Sequence, residues 1–150
     1  MKNQIFVLLF ASFMISSNAI SVEQVDRMTK GVHKCKGIVN ASDEDFDLAV
    51  HKKLEDITTR PGKCLIGCVM MVLDIVTEQD GEYLLNEKGW LDFVIEASNK
   101  DVHKVKKMLE ISAECEKTID HHDECELAYI AVKCQKNGIA EHGLDVDLGI

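Results

Sequence analysis

Six cysteines are the residues of this chain whose spacing first suggests a chemistry. Thiols form disulfides in an oxidising compartment and hold zinc as thiolates in a reducing one. His121 and His122 lie among them, but the spacing matches no zinc finger or zinc ribbon, so we expect no metal ion. An even number of cysteines in a short chain favours a disulfide framework if the chain is secreted. The six are Cys35, Cys64, Cys68, Cys115, Cys125 and Cys134.

The amino terminus indicates secretion. Lys2 precedes an apolar stretch at 5–15, and small residues then lead to a cleavage site after Ala19. The apolar stretch is shorter than the ~20 residues that a membrane-spanning helix needs. No later stretch is long enough either, so we predict no stable membrane insertion. We assign residues 1–19 to a cleaved signal peptide and 20–150 to one extracellular domain.

The net charge of the chain limits its partners. It is −9 at pH 7, and loss of the lysine in the signal peptide makes it one unit more negative. Nucleic acids and anionic lipid surfaces attract proteins through clusters of Lys and Arg. We therefore expect no nucleic-acid partner and no attraction to anionic membranes at neutral pH.

One short motif, His122-Asp123-Glu124-Cys125, suggests an enzyme. It resembles the histidine-aspartate-x-cysteine core of secreted phospholipase A2, in which a histidine activates water beside bound calcium. The adjacent cysteine pair expected before that histidine is replaced by Thr118-Ile119, and the sequence has no glycine-rich calcium loop. A general base without its partners has no reaction to catalyse. We therefore favour a protein that is not an enzyme and needs no cofactor.

Helical periodicity positions the first three cysteines. Ser21 and Ser42 are each followed three residues later by an amide or acidic side chain, which is the capping-box pattern of a helix start. Pro61 stands where a third helix can begin without losing a hydrogen bond. This third helix is predicted to run from about residue 62 to 77.

The second half of the chain shows the same periodicity. Asp80-Gly81 is a turn signal inside a polar loop, and a short helix is predicted around 91–95. A longer helix is predicted over 101–115, and a sixth over 123–136, before the C-cap pair Asn137-Gly138. The fold class is therefore predicted to be all-α, with about six short helices.

The helices restrict how the cysteines can pair. Cys64 and Cys68 are four residues apart, so on a helix their Cβ atoms lie ~5–6 Å apart, whereas a disulfide needs ~3.5–4.5 Å. Cys125 and Cys134 face opposite sides of their helix. Excluding these two pairs leaves ten of the fifteen pairings that six cysteines allow. The third and sixth helices must each form two disulfides, both with cysteines outside the helix itself.

The cysteine spacing resembles that of a known family. Three residues separate the second and third cysteines, and eight separate the fifth and sixth. These intervals, with the signal peptide, length and acidity, resemble the insect odorant-binding and pheromone-binding proteins. The 46-residue interval from Cys68 to Cys115 is longer than usual, and we place the excess in the loop 77–86.

The resemblance implies both a disulfide pairing and a function. The implied pairs are Cys35–Cys68, Cys64–Cys125 and Cys115–Cys134. The implied function is a carrier, monomeric or homodimeric, that holds odorants, pheromones or similar small hydrophobic ligands in an internal apolar cavity and takes them to an odorant receptor. Two alternatives remain: a carrier in another tissue, and a helical module that binds proteins or lipid surfaces in the manner of saposins.

The expected cavity residues come from three places. One is the apolar stripe of the third helix, beside its cysteines. The second is a group of aromatic and apolar residues in later helices, in which the hydroxyl of Tyr129 is a possible hydrogen-bond donor to a ligand. The third is the tail. The predicted ligand-binding residues are Leu65, Val69, Met70, Leu73, Val76, Trp90, Phe93, Val94, Met108, Tyr129, Ile130, Leu148 and Ile150.

The tail, 138–150, has a pattern of its own. From Leu144 to Ile150 apolar residues alternate with Asp and Gly, which puts the apolar side chains on one side of an extended segment. We predict that this segment lies across the cavity mouth as a lid. His142 stands at its root, and its protonation near pH 6 is a candidate switch that loosens the lid.

Overall fold

The computed structural model describes residues 22–51, 53–120, 123–146 and 148. The predicted signal peptide, the Ser21 cap, His121, His122 and Ile150 lie outside these residues. None of the described helices is long and apolar enough to cross a membrane.

Six α-helices make up most of the described chain, so the prediction of an all-α fold with six helices is confirmed. A short 3₁₀ helix, Leu54–Asp56, connects the second and third, and a two-stranded sheet separates the third from the fourth. The helices are α1 (Val22–Val39), α2 (Asp43–Val50), α3 (Arg60–Val72), α4 (Glu87–Ala97), α5 (Val102–Glu116) and α6 (Glu124–Glu141). The strands are β1 (Val76–Gln79) and β2 (Glu82–Leu85).

Helix α3 ends at Val72, so the prediction that it reaches Thr77 is wrong. Asp74 adopts a left-handed conformation with φ of +60°, and the N–H of Ile75 returns to the carbonyl of Met70. This backbone reversal is a common way for a helix to end. The chain leaves α3 ready to form a strand.

The predicted polar loop around Asp80-Gly81 is a β-hairpin. Both turn residues have positive φ, +56° and +84°, which is the type I′ geometry that the Asp-Gly pair favours between two strands. Val76 pairs with Leu85 at the open end. The strands could not be predicted from the sequence because they are short and mostly exposed, and therefore lack a clear alternation of apolar and polar residues.

The predicted cap of α2 is confirmed and has a second role. Ser42 Oγ accepts a hydrogen bond from the backbone N–H of Asp45, and the Asp45 carboxylate accepts one from the backbone of Ser42. The same carboxylate accepts a hydrogen bond from Thr59 Oγ1. Because Thr59 caps α3 by accepting from the N–H of Gly62, the cap of α2 is joined to the cap of α3.

Helix α6 continues past Asn137-Gly138 to Glu141, so its predicted end is wrong. Gly138 lies inside the helix, where an added Cβ would stand 2.4 Å from a methyl carbon of Ile111 on α5. Glycine is therefore needed here for close packing of two helices, not as a helix stop. The left-handed residue that follows the helix is Gly143, with φ of +59°.

Three disulfides link four of the helices. Cys35–Cys68 joins α1 to α3, Cys64–Cys125 joins α3 to α6, and Cys115–Cys134 joins α5 to α6. These are the pairs that the resemblance implied. Helix α4 and the hairpin contain no cysteine, so no disulfide holds them.

Candidate ligand-binding pocket

A pocket of about 280 Å³ lies among α3, the hairpin, α4, α5 and α6. This volume is close to the lower end of the ~300–1,000 Å³ range of small-molecule sites. The apolar lining consists of Met70, Ile75, Leu85, Trp90, Leu91, Phe93, Leu109, Ala113, Cys115, Ile119, Ala131 and Val132. The polar lining consists of Glu87, Ser112, Glu116 and Gln135.

The start of α4 is fixed to the end of α3. Asn86 caps α4 by accepting a hydrogen bond from the N–H of Gly89, and its Nδ2 donates to the carbonyl oxygen of Asp74, 2.9 Å away. Gly89 packs so closely on this carbonyl that any Cβ would collide with it. These contacts place Trp90 and Phe93, whose rings stack with centroids 5.7 Å apart, in the pocket wall.

A buried polar cluster interrupts the apolar lining. The indole N–H of Trp90 donates to Ser112 Oγ at 2.7 Å, and Nε2 of Gln135 donates to the same oxygen at 2.9 Å. The Ser112 hydroxyl donates in turn to the carbonyl oxygen of Met108 at 2.8 Å. Gln135 is buried, with only 6% of its surface exposed. Among the described residues no group donates a hydrogen bond to its Oε1.

The two ionised side chains in the described part of the lining are both acidic. Glu87 and Glu116 are exposed residues of the pocket edge. The described residues that line the pocket include no lysine, arginine or histidine. A negatively charged ligand would therefore meet like charges and no counter-ion here.

The structure places three of the predicted ligand-binding residues, Met70, Trp90 and Phe93, in the lining. Of the stripe predicted for the third helix, Leu65 and Val69 lie on α3, Leu73 caps its end and Val76 begins β1, and all four are buried in the core. Six predicted residues are buried in the core and absent from this lining; their contact with a ligand stays a prediction. These are Leu65, Val69, Leu73, Val76, Val94 and Met108.

Tyr129 and Ile130 line a separate open groove between α5 and α6. The Tyr129 hydroxyl donates to the carbonyl oxygen of Leu54 at 3.0 Å. Nζ of Lys63 stands 5.0 Å from the centre of the Tyr129 ring. The hydroxyl and the ring of Tyr129 therefore both contact protein groups. Its contact with a ligand stays a prediction.

The described residues of the tail pack on the protein, and none of them belongs to the described pocket lining. Leu148 is 4% exposed and belongs to the core, with Leu144 and Val146 packed against it. Nζ of Lys104, in the first turn of α5, donates to the carbonyl oxygen of Asp145 at 2.8 Å. His142 ends α6 and lines the α5–α6 groove. The lid and the pH switch stay predictions.

Several lining residues were not predicted, although the sequence held a signal for two of them. Gln135 stands in a buried stripe of α6 that is otherwise apolar, beside Val132 and Ile139. Ser112 interrupts the buried stripe of α5 in the same way, beside Ile111. A polar residue at a core position needs hydrogen-bond partners, so these two residues were identifiable as a possible polar contact inside the bundle.

Asp123, Glu124 and Cys125 form a compact group of potential metal ligands. However, the Cys125 sulfur is in a disulfide, and Asp123 Oδ2 accepts a hydrogen bond from Arg60 at 2.6 Å. That bond, opposed by partial burial, holds the pKa of Asp123 below its usual value. Asp123 also caps α6. The acidic part of the phospholipase-like motif therefore has a structural role at the start of this helix.

Comparison with known proteins decides the family. Residues 17–137 match the family model described as PBP/GOBP family. The chain belongs to this family. General odorant-binding protein 19d of Drosophila melanogaster is 29% identical over 81% of this chain and 78% of its own length. General odorant-binding protein 28a of the same organism is 28% identical over 81% of this chain and 82% of its own.

A solved structure supports the same assignment. Odorant-binding protein dmelOBP28a from Drosophila melanogaster is similar in fold, with a TM-score of 0.66 and 28% identity over 81% of this chain and 97% of that one. The PBP/GOBP family consists of carriers of small hydrophobic ligands and not of enzymes. The resemblance that the cysteine spacing indicated is therefore confirmed.

Proposed function

We propose that this protein is a secreted extracellular carrier that binds odorants, pheromones or similar small hydrophobic molecules reversibly and takes them through aqueous fluid to a receptor. The observation that carries the proposal is the apolar pocket of about 280 Å³ in a member of the odorant-binding family. Such a pocket removes the apolar surface of an oily molecule from water.

Rough free energies support reversible binding. A twelve-carbon ligand gains ~0.8 kcal/mol per buried methylene, or roughly 9–10 kcal/mol in all. Association costs at least ~4 kcal/mol in lost freedom of motion. A polar contact or tight packing must supply the rest of the ~8 kcal/mol that corresponds to micromolar affinity. A carrier of this kind holds its ligand and can also release it.

Displacement of a fluorescent apolar probe at neutral pH tests the proposal. We expect a long-chain ligand to displace the probe with micromolar affinity from the native protein. Ala131→Leu puts three more carbon atoms into the pocket wall and should weaken binding at least threefold. Ala140→Leu, on the exposed side of the same helix, is the matched control and should have no effect. Equal effects of both variants would place the ligand elsewhere.

Secretion needs its own experiment. Expressed in insect cells, the full chain should appear in the medium with Ile20 as its first residue, because cleavage is predicted after Ala19. Mass spectrometry of the secreted protein measures this directly. Retention of an uncleaved chain inside the cells would contradict the extracellular part of the proposal.

A further inference from the structure

We propose that the pocket prefers a neutral ligand with one hydroxyl group over a carboxylate or an ether of the same size, and that Oε1 of Gln135 accepts the hydroxyl proton. This inference rests on the proposed function as a carrier and specifies its ligand class. The polar cluster in the pocket wall and the charges of the pocket edge carry it.

The hydrogen bonds of Ser112 leave it no capacity for a ligand. A hydroxyl donates one hydrogen bond and accepts two. Ser112 donates to the carbonyl oxygen of Met108 and accepts from Trp90 and Gln135. The indole of Trp90 has one N–H, which this network uses. The polar capacity that remains in the cluster belongs to the amide of Gln135.

The network also fixes the orientation of that amide. Its NH₂ group must face Ser112, because the hydroxyl proton is directed to Met108 and cannot also serve an amide oxygen at the same place. The free acceptor is therefore Oε1, on a side chain of the pocket wall that is more than nine-tenths buried. A buried acceptor without a partner is unfavourable, and a donor that reaches it recovers this free energy.

Ligand classes differ in what they can give to this acceptor. A hydroxyl group donates one hydrogen bond, whereas an ether, an ester or a hydrocarbon donates none. A single net hydrogen bond corresponds to about a fivefold change in affinity. Discrimination is expected to be larger where the group on the protein is otherwise left unpaired.

The charges at the pocket edge act against fatty acids. Glu87 and Glu116 belong to the lining, and the described part of that lining has no cationic side chain. A carboxylate that leaves water for this pocket loses its hydration and gains no counter-ion. We expect a carboxylate ligand to bind at least tenfold more weakly than an alcohol of the same length.

Probe displacement at pH 7.5 with three ten-carbon ligands on the full-length mature protein tests the inference. They are 1-decanol, its isomer methyl nonyl ether, and decanoate. We expect decanol to bind about fivefold more tightly than the ether and at least tenfold more tightly than decanoate. Equal affinities for decanol and the ether, or tightest binding of decanoate, would overturn the inference. Failure of all three to displace the probe would instead contradict the carrier function.

Two variants assign the preference to the named residues. Gln135→Met keeps the length of the side chain without its acceptor and should remove the advantage of decanol over the ether. The double variant Glu87→Gln, Glu116→Gln should raise affinity for decanoate at least threefold. Gln79→Met and Glu114→Gln, both exposed and outside the pocket, are the matched controls. A decanol advantage that survives in Gln135→Met would overturn the assignment.

Discussion

The two walls of the pocket are built differently. Disulfides connect α3, α5 and α6, and Cys64–Cys125 lies between the two helices that make the most extensive contact in the bundle. The opposite wall, formed by α4 and the hairpin, is held by packing and by hydrogen bonds such as that from Trp90 to Ser112. The first wall is fixed covalently and the second is not. We therefore expect ligand binding to displace α4 more than α6.

The largest predicted effect is on stability and comes from opening a disulfide in the covalently fixed wall. Replacing Cys64 and Cys125 together by serine opens a link that spans 61 residues of sequence. Loop entropy predicts a loss of about 4 kcal/mol in the free energy of unfolding. Urea denaturation measures this loss. A loss below about 1 kcal/mol would show that packing alone fixes this wall.

A matched pair of leucines compares the two walls directly. Leu65 on α3 is fully buried, whereas Leu91 on α4 is 37% exposed and lines the pocket. We expect Leu65→Ala to cost about 3 kcal/mol of stability and to change ligand affinity less than Leu91→Ala does. Leu91→Ala should cost less than about 1 kcal/mol and weaken binding at least twofold. The reverse pattern, measured by denaturation and probe displacement, would contradict this account of the walls.

Acid should weaken the joined caps of α2 and α3. Burial raises the pKa of Asp45, but hydrogen bonds from Thr59 and Ser42 outweigh it, so the pKa lies below its usual value. A carboxyl with a lowered pKa in the folded state stabilises the protein above its unfolded pKa of about 3.9. That contribution disappears as the pH falls through the lower folded value.

The variant Asp45→Asn tests this linkage. It should cost about 1–2 kcal/mol at pH 7 and make stability less dependent on pH below about 4. Denaturation at a series of pH values provides the measurement, with Asp47→Asn as the control, an exposed residue of the same helix. If the stability of the Asp45 variant and that of the native protein changed with pH in parallel, the Asp45 carboxylate would not be the source of this pH dependence.

The smallest predicted effects come from two glycines. Gly81 has φ of +84° in the hairpin turn, and Gly81→Ala should cost about 1 kcal/mol because the left-handed conformation is strained for alanine. Gly37 lies in α1 with nothing within 4 Å of an added Cβ. Gly37→Ala should stabilise the protein by about 0.5 kcal/mol. Thermal unfolding that moves both variants in the same direction would contradict these assignments.

Local features of the fold were predictable from the sequence. A capping box such as that of Ser42 and Asp45 depends only on residues three positions apart in the sequence. The presence of the third helix, though not its end, could be predicted from Pro61 and the apolar run that follows it. The cysteine intervals indicated the family and, through it, the disulfide pairs. The hairpin was missed because its strands are short and mostly exposed, and the turn pair Asp80-Gly81 also fits a loop.

The pocket was harder to predict because contacts between distant residues define it. Leu65 and Met70 lie on the same helix, but only Met70 lines the pocket. Which side of α3 faces the pocket depends on where α4 packs, and this is set by the contact of Asn86 with Asp74. Helical periodicity finds the buried side of each helix but not the neighbour that each buried residue meets.

Emission of Trp90 tests the central claim most directly. It is the one tryptophan of the chain and it lines the pocket. Titration of the native protein with 1-decanol should give a saturable change in tryptophan emission, with the same midpoint as displacement of the apolar probe. An unchanged emission spectrum while decanol displaces the probe would place the ligand outside this pocket and contradict the account.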